Sequence, residues 1–301
     1  MNFQTRYITY FLAVADLRSF SRAAESLGVS QPVLSLRIQL EEKKFGFEVF
    51  DRSRRSVALT REGEILISAL RELQGSVVRT GKVIDELHSR QARPLLIGLS
   101  ITSDYPERTQ LLADFMAAHP DYRIEQVAGN SLPLLARLQD GSLDIVVSVT
   151  PHDPRFDAIV LKRFSPEALV PQELPLAKCK EIGPEMLTGQ SIAVFDRSRH
   201  PLLYDTFIAP IVKAGALANV SGDDSASGVL AYAVRRRMIM VSHHPRYSDE
   251  NLIVARMKRV PLRVGSSAAL TILRPHGATT DYVRKFWNFA RQFAVGVRGI
   301  S

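Results

Sequence analysis

Cysteine is nearly missing: Cys179 is the only one among 301 residues. No intrachain disulfide, Cys-x-x-Cys redox pair or thiolate metal cage can form, and a lone cysteine is most simply a packing residue. No stretch approaches the run of about 18 uninterrupted apolar residues that a membrane-spanning helix needs. The amino-terminal stretch MNFQTRYITYFLAVADLRSF breaks its apolar run at Asp16 and Arg18, which argues against a secretory leader and for a cytoplasmic protein with no membrane partner. Common catalytic signatures are absent too: there is no Gly-x-x-x-x-Gly-Lys, no His-Glu-x-x-His and no Gly-x-Ser-x-Gly. The seven histidines are scattered apart from His243-His244, a pair with no third ligand at a diagnostic spacing, which reads as the end of a strand. These absences predict no catalytic residue, no metal and no cofactor.

What is present is an ordinary globular composition, 46% hydrophobic and 23% charged, on a chain long enough for two or three domains. Lys and Arg outnumber Asp and Glu by 39 to 31, a net +8 that favours polyanionic partners. The excess is densest over residues 1–61, which hold ten basic and six acidic side chains.

Three regimes follow one another. Residues 1–60 are short helical patterns separated by tight turns. Residues 61–90 are one long helical pattern in which Leu66, Leu70, Leu73, Val77, Thr80, Ile84 and Leu87 recur at alternating steps of four and three. That is a heptad seam, and it predicts pairing with a second copy of the helix. Residues 91–301 alternate Val- and Ile-rich strands with helices, in two units of similar size: LLIGLS, YRIEQVAG and DIVVSVT, then SIAVFD, NVSG and MIMVSH. Such alternation predicts parallel sheets built from right-handed crossovers, with a ligand site between the units at the carboxyl ends of the strands.

Within the first regime, Ser19 can cap a helix carrying Phe20, Ala23, Ala24 and Leu27 inward, Gly28 supplies the turn, and Ser30 can cap a second helix with Pro32 in its first turn. With Leu34 and Ile38 set toward the core, Pro32, Ser35, Leu36 and Gln39 fall on the outward face, flanked by Gln31 and Arg37. The face is short of charge and suits reading base edges in a major groove: Gln pairs with adenine, Ser donates or accepts, and Leu or Pro meets a thymine methyl. Phosphate contacts would come from Arg52, Arg54 and Arg55, in a loop followed by the short alternating strand of Ser56 to Leu59, the pattern of a wing.

Those residues carry a resemblance. YFLAVADLRSFSRAAESLGVSQPVLSLRI, then FG, VFDR and LTREGE, resemble segment by segment the DNA-binding domain of LysR-type transcriptional regulators. The resemblance implies an α+β multidomain fold: a winged helix-turn-helix over 1–60, a long dimerisation helix over 61–90, and an effector-binding domain over 91–301. The last would comprise two α/β subdomains of periplasmic-binding-protein-like fold, I at 91–161 plus 269–301 and II at 162–268. It implies a bacterial homotetramer that binds two half-sites of a double-stranded DNA operator, responds to a small-molecule effector, and has RNA polymerase as a further partner.

Three departures from the family pattern stand out. Leu36 occupies a recognition-helix position where the family commonly has Arg, and Glu41 replaces an apolar residue, which would rotate the helix or leave Glu41 partly exposed. Further on, Arg235, Arg236 and Arg237 stand where a glycine-rich turn is usual; they could attract an anionic effector or answer the negative end of a helix dipole. Sheet geometry and the resemblance together point to an effector site built from Ser100, Thr102, Ser103, Asn130, Ser131 and Thr150 of the first subdomain and Phe195, Arg197, Arg199 and His200 of the second. The cationic Arg197, Arg199 and His200 suggest a carboxylate. The rival readings are an enzyme and a periplasmic solute binder; the missing catalytic motifs, and the absence of a leader before a DNA-binding pattern, argue against them.

Overall fold

A computed structural model describes residues 6–51, 57–88, 93–101, 105–150, 153–198, 200–223, 225–242, 252, 255–265, 268–277 and 279–298. The chain divides into two compact units, the first formed mainly by residues 1–90 and the second by most of the remainder.

The first unit begins with α1 (Arg6–Leu17), α2 (Phe20–Ser26) and α3 (Gln31–Phe45). Ser19 caps α2 by accepting the Arg22 N–H. The tight α2–α3 turn needs a left-handed residue, supplied by Gly28 at φ +66°. A two-stranded ribbon follows, β1 (Phe50–Asp51) antiparallel to β2 (Ala58–Leu59). The 28-residue helix α4 (Arg61–His88) then runs out. Phe11, Val14, Ala23, Ala24, Leu34, Ile38, Val49, Phe50, Ile67 and Leu70 are buried in one core, where the rings of Phe11 and Phe50 stack at 6.1 Å between centroids. The two alanines let α2 approach its neighbours closely, and Ile67 and Leu70 anchor the start of α4 in the same core.

The second unit holds two five-stranded sheets. The first has β3 (Leu95–Ser100), β4 (Ile124–Gly129), β5 (Ile145–Thr150), β6 (Phe156–Phe164) and β12 (Ala268–Pro275) in the order β4-β3-β5-β12-β6. Helices α5 (Pro106–Ala118) and α6 (Ser131–Gln139) link its parallel strands. The second sheet has β7 (Glu167–Pro171), β8 (Ser191–Val194), β9 (Leu217–Val220), β10 (Ile239–Ser242) and β11 (Met257–Pro261) in the order β11-β7-β10-β8-β9. Its helical connections are α7 (Pro201–Leu203), which continues through a π-helical turn at Tyr204–Ile208 into α8 (Ala209–Lys213), and α9 (Ala226–Arg236). The chain closes with α10 (Asp281–Arg298), whose Phe286, Trp287 and Ala290 are buried.

The parallel cores expected from the sequence are there, but each sheet also carries antiparallel strands. β12 runs antiparallel to β5 and β6, and β7 antiparallel to β10 and β11. The reason is the chain's path: it leaves the first sheet along β6, enters the second along β7, and returns through β11 and β12. Pairing of β6 with β12 continues to Phe164, opposite Ala268, so the first crossover lies after Phe164 rather than after residue 161. Cys179 is half-buried and packs against the core of this unit.

Candidate functional site

In the first unit, α3 presents the face of interest. Leu34 and Ile38 are 0% and 1% exposed, while Gln31, Pro32, Leu36, Arg37 and Gln39 are exposed and Ser35 is half-buried. The outward face is wider than the periodicity indicated: Val33 and Leu40 are exposed beside Leu36. Apolar side chains held in water on a helix of a small domain mark a contact surface. Ser30 sits at the N-cap position with extended backbone, but its side chain makes no capping hydrogen bond, so the expected Ser30 cap is absent; Pro32 instead favours the first turn.

Neither expected consequence of Glu41 occurs. It is 2% exposed, while Leu40 lies in solvent. Its carboxylate accepts from Lys44 Nζ at 2.7 Å, and that hydrogen bond holds the Lys44 ammonium above its ordinary value. Next to it, buried Glu42 accepts the backbone N–H groups of Val49 at 2.8 Å and Phe50 at 3.2 Å. A charge-assisted pair of this kind fixes the end of α3 to the start of the ribbon. The ribbon strands β1 and β2 are as expected for a wing; Arg52, Arg54 and Arg55 lie outside the described residues.

In the second unit, three hydroxyls form a buried chain. Ser100 Oγ and Ser131 Oγ are 2.9 Å apart, as are Ser131 Oγ and Ser148 Oγ, and Thr271 Oγ1 donates to the Ser148 carbonyl at 3.1 Å. Ser131 is the first residue of α6 and lines a recess with Leu132, Val149, His200, Pro201, Leu202 and Leu203. Its empty space of about 190 Å³ includes open solvent, and none of it admits the centre of a water-sized sphere, so the recess is shallow and closed in this conformation. The site lies between the two sheets' subdomains and joins the carboxyl end of β5 and the start of α6 to the segment entering α7. At the start of α6 the N–H groups of Ser131 and Leu132 precede the first intrahelical donor, and a helix start favours negative charge. The chemistry is that of a polar tip, hydroxyl and helix start, set in an apolar wall.

The predicted effector residues divide. Ser131 and His200 line the recess, and Ser100, fully buried, joins it through its hydrogen bond to Ser131; His200 is 5% exposed and its carbonyl accepts the Tyr204 N–H at 2.9 Å. Asn130 is half-buried immediately before α6, where its carbonyl accepts from Leu134 N. Thr150 ends β5, paired with Ala269. Phe195 is half-buried, its ring centroid 5.9 Å from the His200 ring, and does not itself line the recess. Arg197 does not line the recess. Its guanidinium is drawn to Asp205 at 2.7 and 2.8 Å, and this hydrogen-bonded pair holds the Asp205 carboxyl below its usual range. Thr102, Ser103 and Arg199 lie outside the described residues. The residues missed from sequence are Ser148, Leu132, Val149, Pro201, Leu202 and Leu203. For Ser148 the signal existed: it is the one polar position inside the otherwise apolar IVVSV of β5.

Among the described residues no group of three or more His, Cys, Asp or Glu could hold a metal ion, and no helix is long and apolar enough to cross a membrane.

Comparison with known proteins gives a consistent result. Residues 5–64 match the bacterial regulatory helix-turn-helix protein, lysR family, and residues 89–294 match the LysR substrate binding domain. The chain is 31% identical over 216 residues to the Hca operon transcriptional activator HcaR of Escherichia coli, covering 70% of each chain. It is 28% identical over 232 residues to a probable cat1 operon transcriptional activator of Acinetobacter lwoffii, covering 75% of this chain and 77% of that one. Among solved structures, full-length BenM has a TM-score of 0.54 at 19% identity, with 98% of this chain and 97% of that chain covered. Full-length OxyR from Pseudomonas aeruginosa has a TM-score of 0.51 at 18% identity over 98% of this chain and 95% of that chain. These relatives are regulators, not enzymes, and the structural neighbours share the fold.

Proposed function

The chain belongs to the LysR family of DNA-binding transcriptional regulators with an effector-binding domain, and from that premise we propose that α3 reads its operator through an apolar and amide face while a small carboxylate in the Ser131 recess controls the outcome. The observation that carries the DNA half is the exposure of Gln31, Pro32, Leu36 and Gln39 above buried Leu34 and Ile38. Glutamine amides and leucine or proline side chains discriminate bases by pairing with adenine and by contact with thymine methyls. Ser30, Ser35 and Arg37 flank that face, and Arg52, Arg54 and Arg55 of the wing supply backbone contacts in this reading. The test is Leu36→Arg in the full-length protein on DNA just upstream of its own gene and on unrelated duplex. General affinity rises by about tenfold, the worth of one added charge-assisted contact, and the preference between the two DNAs narrows. No change in either would mean that this face stays out of the groove.

The carboxylate half is carried by Ser131, whose hydroxyl lies at the start of α6 in a wall of Leu132, Val149, Leu202 and Leu203. The chemistry of this lining suits a ligand with one anionic end and a short apolar body, which the recess would have to open to admit, and buried His200 is part of the same wall. With Arg197 paired to Asp205, recognition rests on hydroxyls and backbone N–H groups more than on guanidinium charge. Calorimetric titration with small organic acids and amino acids tests this. Ser131→Ala weakens the binding acid by about tenfold, the net worth of one lost hydrogen bond; binding of only neutral or cationic compounds would defeat the carboxylate reading. The same reading makes the protein a cytoplasmic homodimer through α4, assembled into a homotetramer, with RNA polymerase as a further partner.

A further inference from the structure

The geometry points to a second, sequence-independent contact with duplex DNA, made by Arg235, Arg236, Arg237 and Arg256 at one end of the second sheet of the effector-binding domain. None of the four lines the recess, and the helix-dipole reading covers Arg235 and Arg236 in the last turn of α9 without touching Arg256.

Backbone conformation is the first observation. Among the described residues, those other than glycine with left-handed backbone are Arg18, Arg237 and Arg256, at φ 48°, 55° and 53°. Left-handed turn positions are where glycine or asparagine sits at no steric cost, and a side-chain-bearing residue there is strained. Arg237 is the residue that ends α9, the position at which glycine is the usual choice. Strain of this kind concentrates at positions kept for function rather than stability.

The second observation is placement. β10 and β11 flank β7 on opposite sides, and both begin at its carboxyl end: Met240 lies opposite Leu169 and Met257 opposite Pro171. The turns holding Arg237 and Arg256 therefore project from the same end of the sheet, two strand spacings or about 10 Å apart. Arg235, Arg236, Arg237 and Arg256 are all exposed, as is Lys258 one residue into β11. Against them the structure sets Glu173, whose carboxylate is 4.0 Å from Arg237 Nε with both side chains well solvated. A pair that exposed contributes little.

The third is chemistry. The Arg235 and Arg236 guanidinium groups lie 5.8 and 5.9 Å from the centroid of the Tyr232 ring, so two exposed cations gather around one aromatic side chain. Several guanidinium groups over about 10 Å match a duplex strand, which presents a phosphate about every 3.4 Å along the axis. Each guanidinium can meet a phosphate through paired N–H donors.

The test uses the full-length protein and a random-sequence 60-bp duplex, with binding followed by fluorescence anisotropy from low to physiological salt. In the variant R235Q/R236Q/R237G/R256G the slope of log affinity against log salt loses about 2 to 3 units, at about 0.9 for each phosphate contact given up. Affinity in low salt drops at least tenfold. Because glycine is the favoured residue at both left-handed turns, the thermal midpoint of the variant holds or rises; a fall would mean that these arginines serve the fold and would overturn the proposal. An unchanged slope would overturn it as well. So would a slope change accompanied by loss of oligomer in light scattering, since the patch would then meet an acidic surface on another copy. R235Q/R236Q, which leaves both turns untouched, loses about half of the slope change if the contact is to DNA and none of it otherwise.

Discussion

Gly63→Ala will unfold or loosen the DNA-binding domain, although alanine is the better helix former. Intrinsic propensity favours alanine over glycine inside a helix by about 1 kcal/mol. Position 63 reverses that sign. A Cβ built there would stand 2.1 Å from the Val49 carbonyl oxygen and 2.9 Å from its carbon, and both are backbone atoms that cannot rotate away. The Val49 oxygen is also fixed from the other side, since it accepts the Thr60 N–H at 3.0 Å while Thr60 Oγ1 donates to the Glu48 carbonyl and accepts the Gly63 N–H. Relief requires α4 and the segment before β1 to part, which disturbs the Glu42 hydrogen bonds to Val49 and Phe50 as well. Overpacking of this severity costs about 3 kcal/mol, leaving a net loss of about 2 kcal/mol after the propensity gain. The measurement is the unfolding transition of the DNA-binding domain in urea, with operator affinity alongside. Gly81→Ala is the control: nothing lies within 4 Å of its Cβ, so it should stabilise the same helix by up to about 1 kcal/mol. Equal behaviour of the two variants would refute the steric argument.

The contrast between those two glycines marks what can be read from sequence. Helix and strand periodicity depends on local spacing, so α3, α4, α6 and the runs LLIGLS and IVVSVT were legible to within a few residues. Features set by distant parts of the chain were not. β6 and β7 are antiparallel strands at the crossover between subdomains, and FDAIVLKRF mixes apolar and charged residues in a way that names no partner. Glu42 looks like another solvent-facing acid of the run EEKK, yet it is buried because the chain returns seven residues later to give it two N–H groups. Arg197 looked like a cation aimed at a ligand until Asp205, eight residues on, claimed it. The serines of the recess were half legible: Ser100 and Ser131 end a strand and start a helix, while Ser148 sits mid-strand, where only the folded sheet brings it beside Ser131. Apolar Leu36 was legible as a departure from the family pattern, and its exposure follows from Leu34 and Ile38 filling the core.

Val77→Asp with Ile84→Asp will break the proposed α4 pairing, at least halve the mass of the assembly and abolish cooperative operator binding. The heptad seam predicted over α4 is divided in the structure. Leu70 is buried and Leu66 half-buried in the first unit's core, while Leu73, Val77, Ile84 and Leu87 are 43%, 57%, 48% and 81% exposed on the single chain. Thr80, the polar member of the seam, donates its hydroxyl to the Ser76 carbonyl at 2.9 Å, so its bonding need is met within its own helix. An apolar row of this length on one helix face is the surface that a second α4 would cover. The substitution places two carboxylates per chain, four per dimer, in that seam. At about 1–3 kcal/mol for each polar group buried without a partner, the dimer loses at least about 4 kcal/mol, or about three orders of magnitude in dissociation constant. Because both side chains are exposed in the monomer, helical content by circular dichroism and the unfolding midpoint of the DNA-binding core stay near their original values. Sedimentation equilibrium over a concentration series checks the mass, and gel shift checks the operator. If α4 instead served only its own chain, the variant would keep its original mass and lose midpoint, the reverse of the expected pattern.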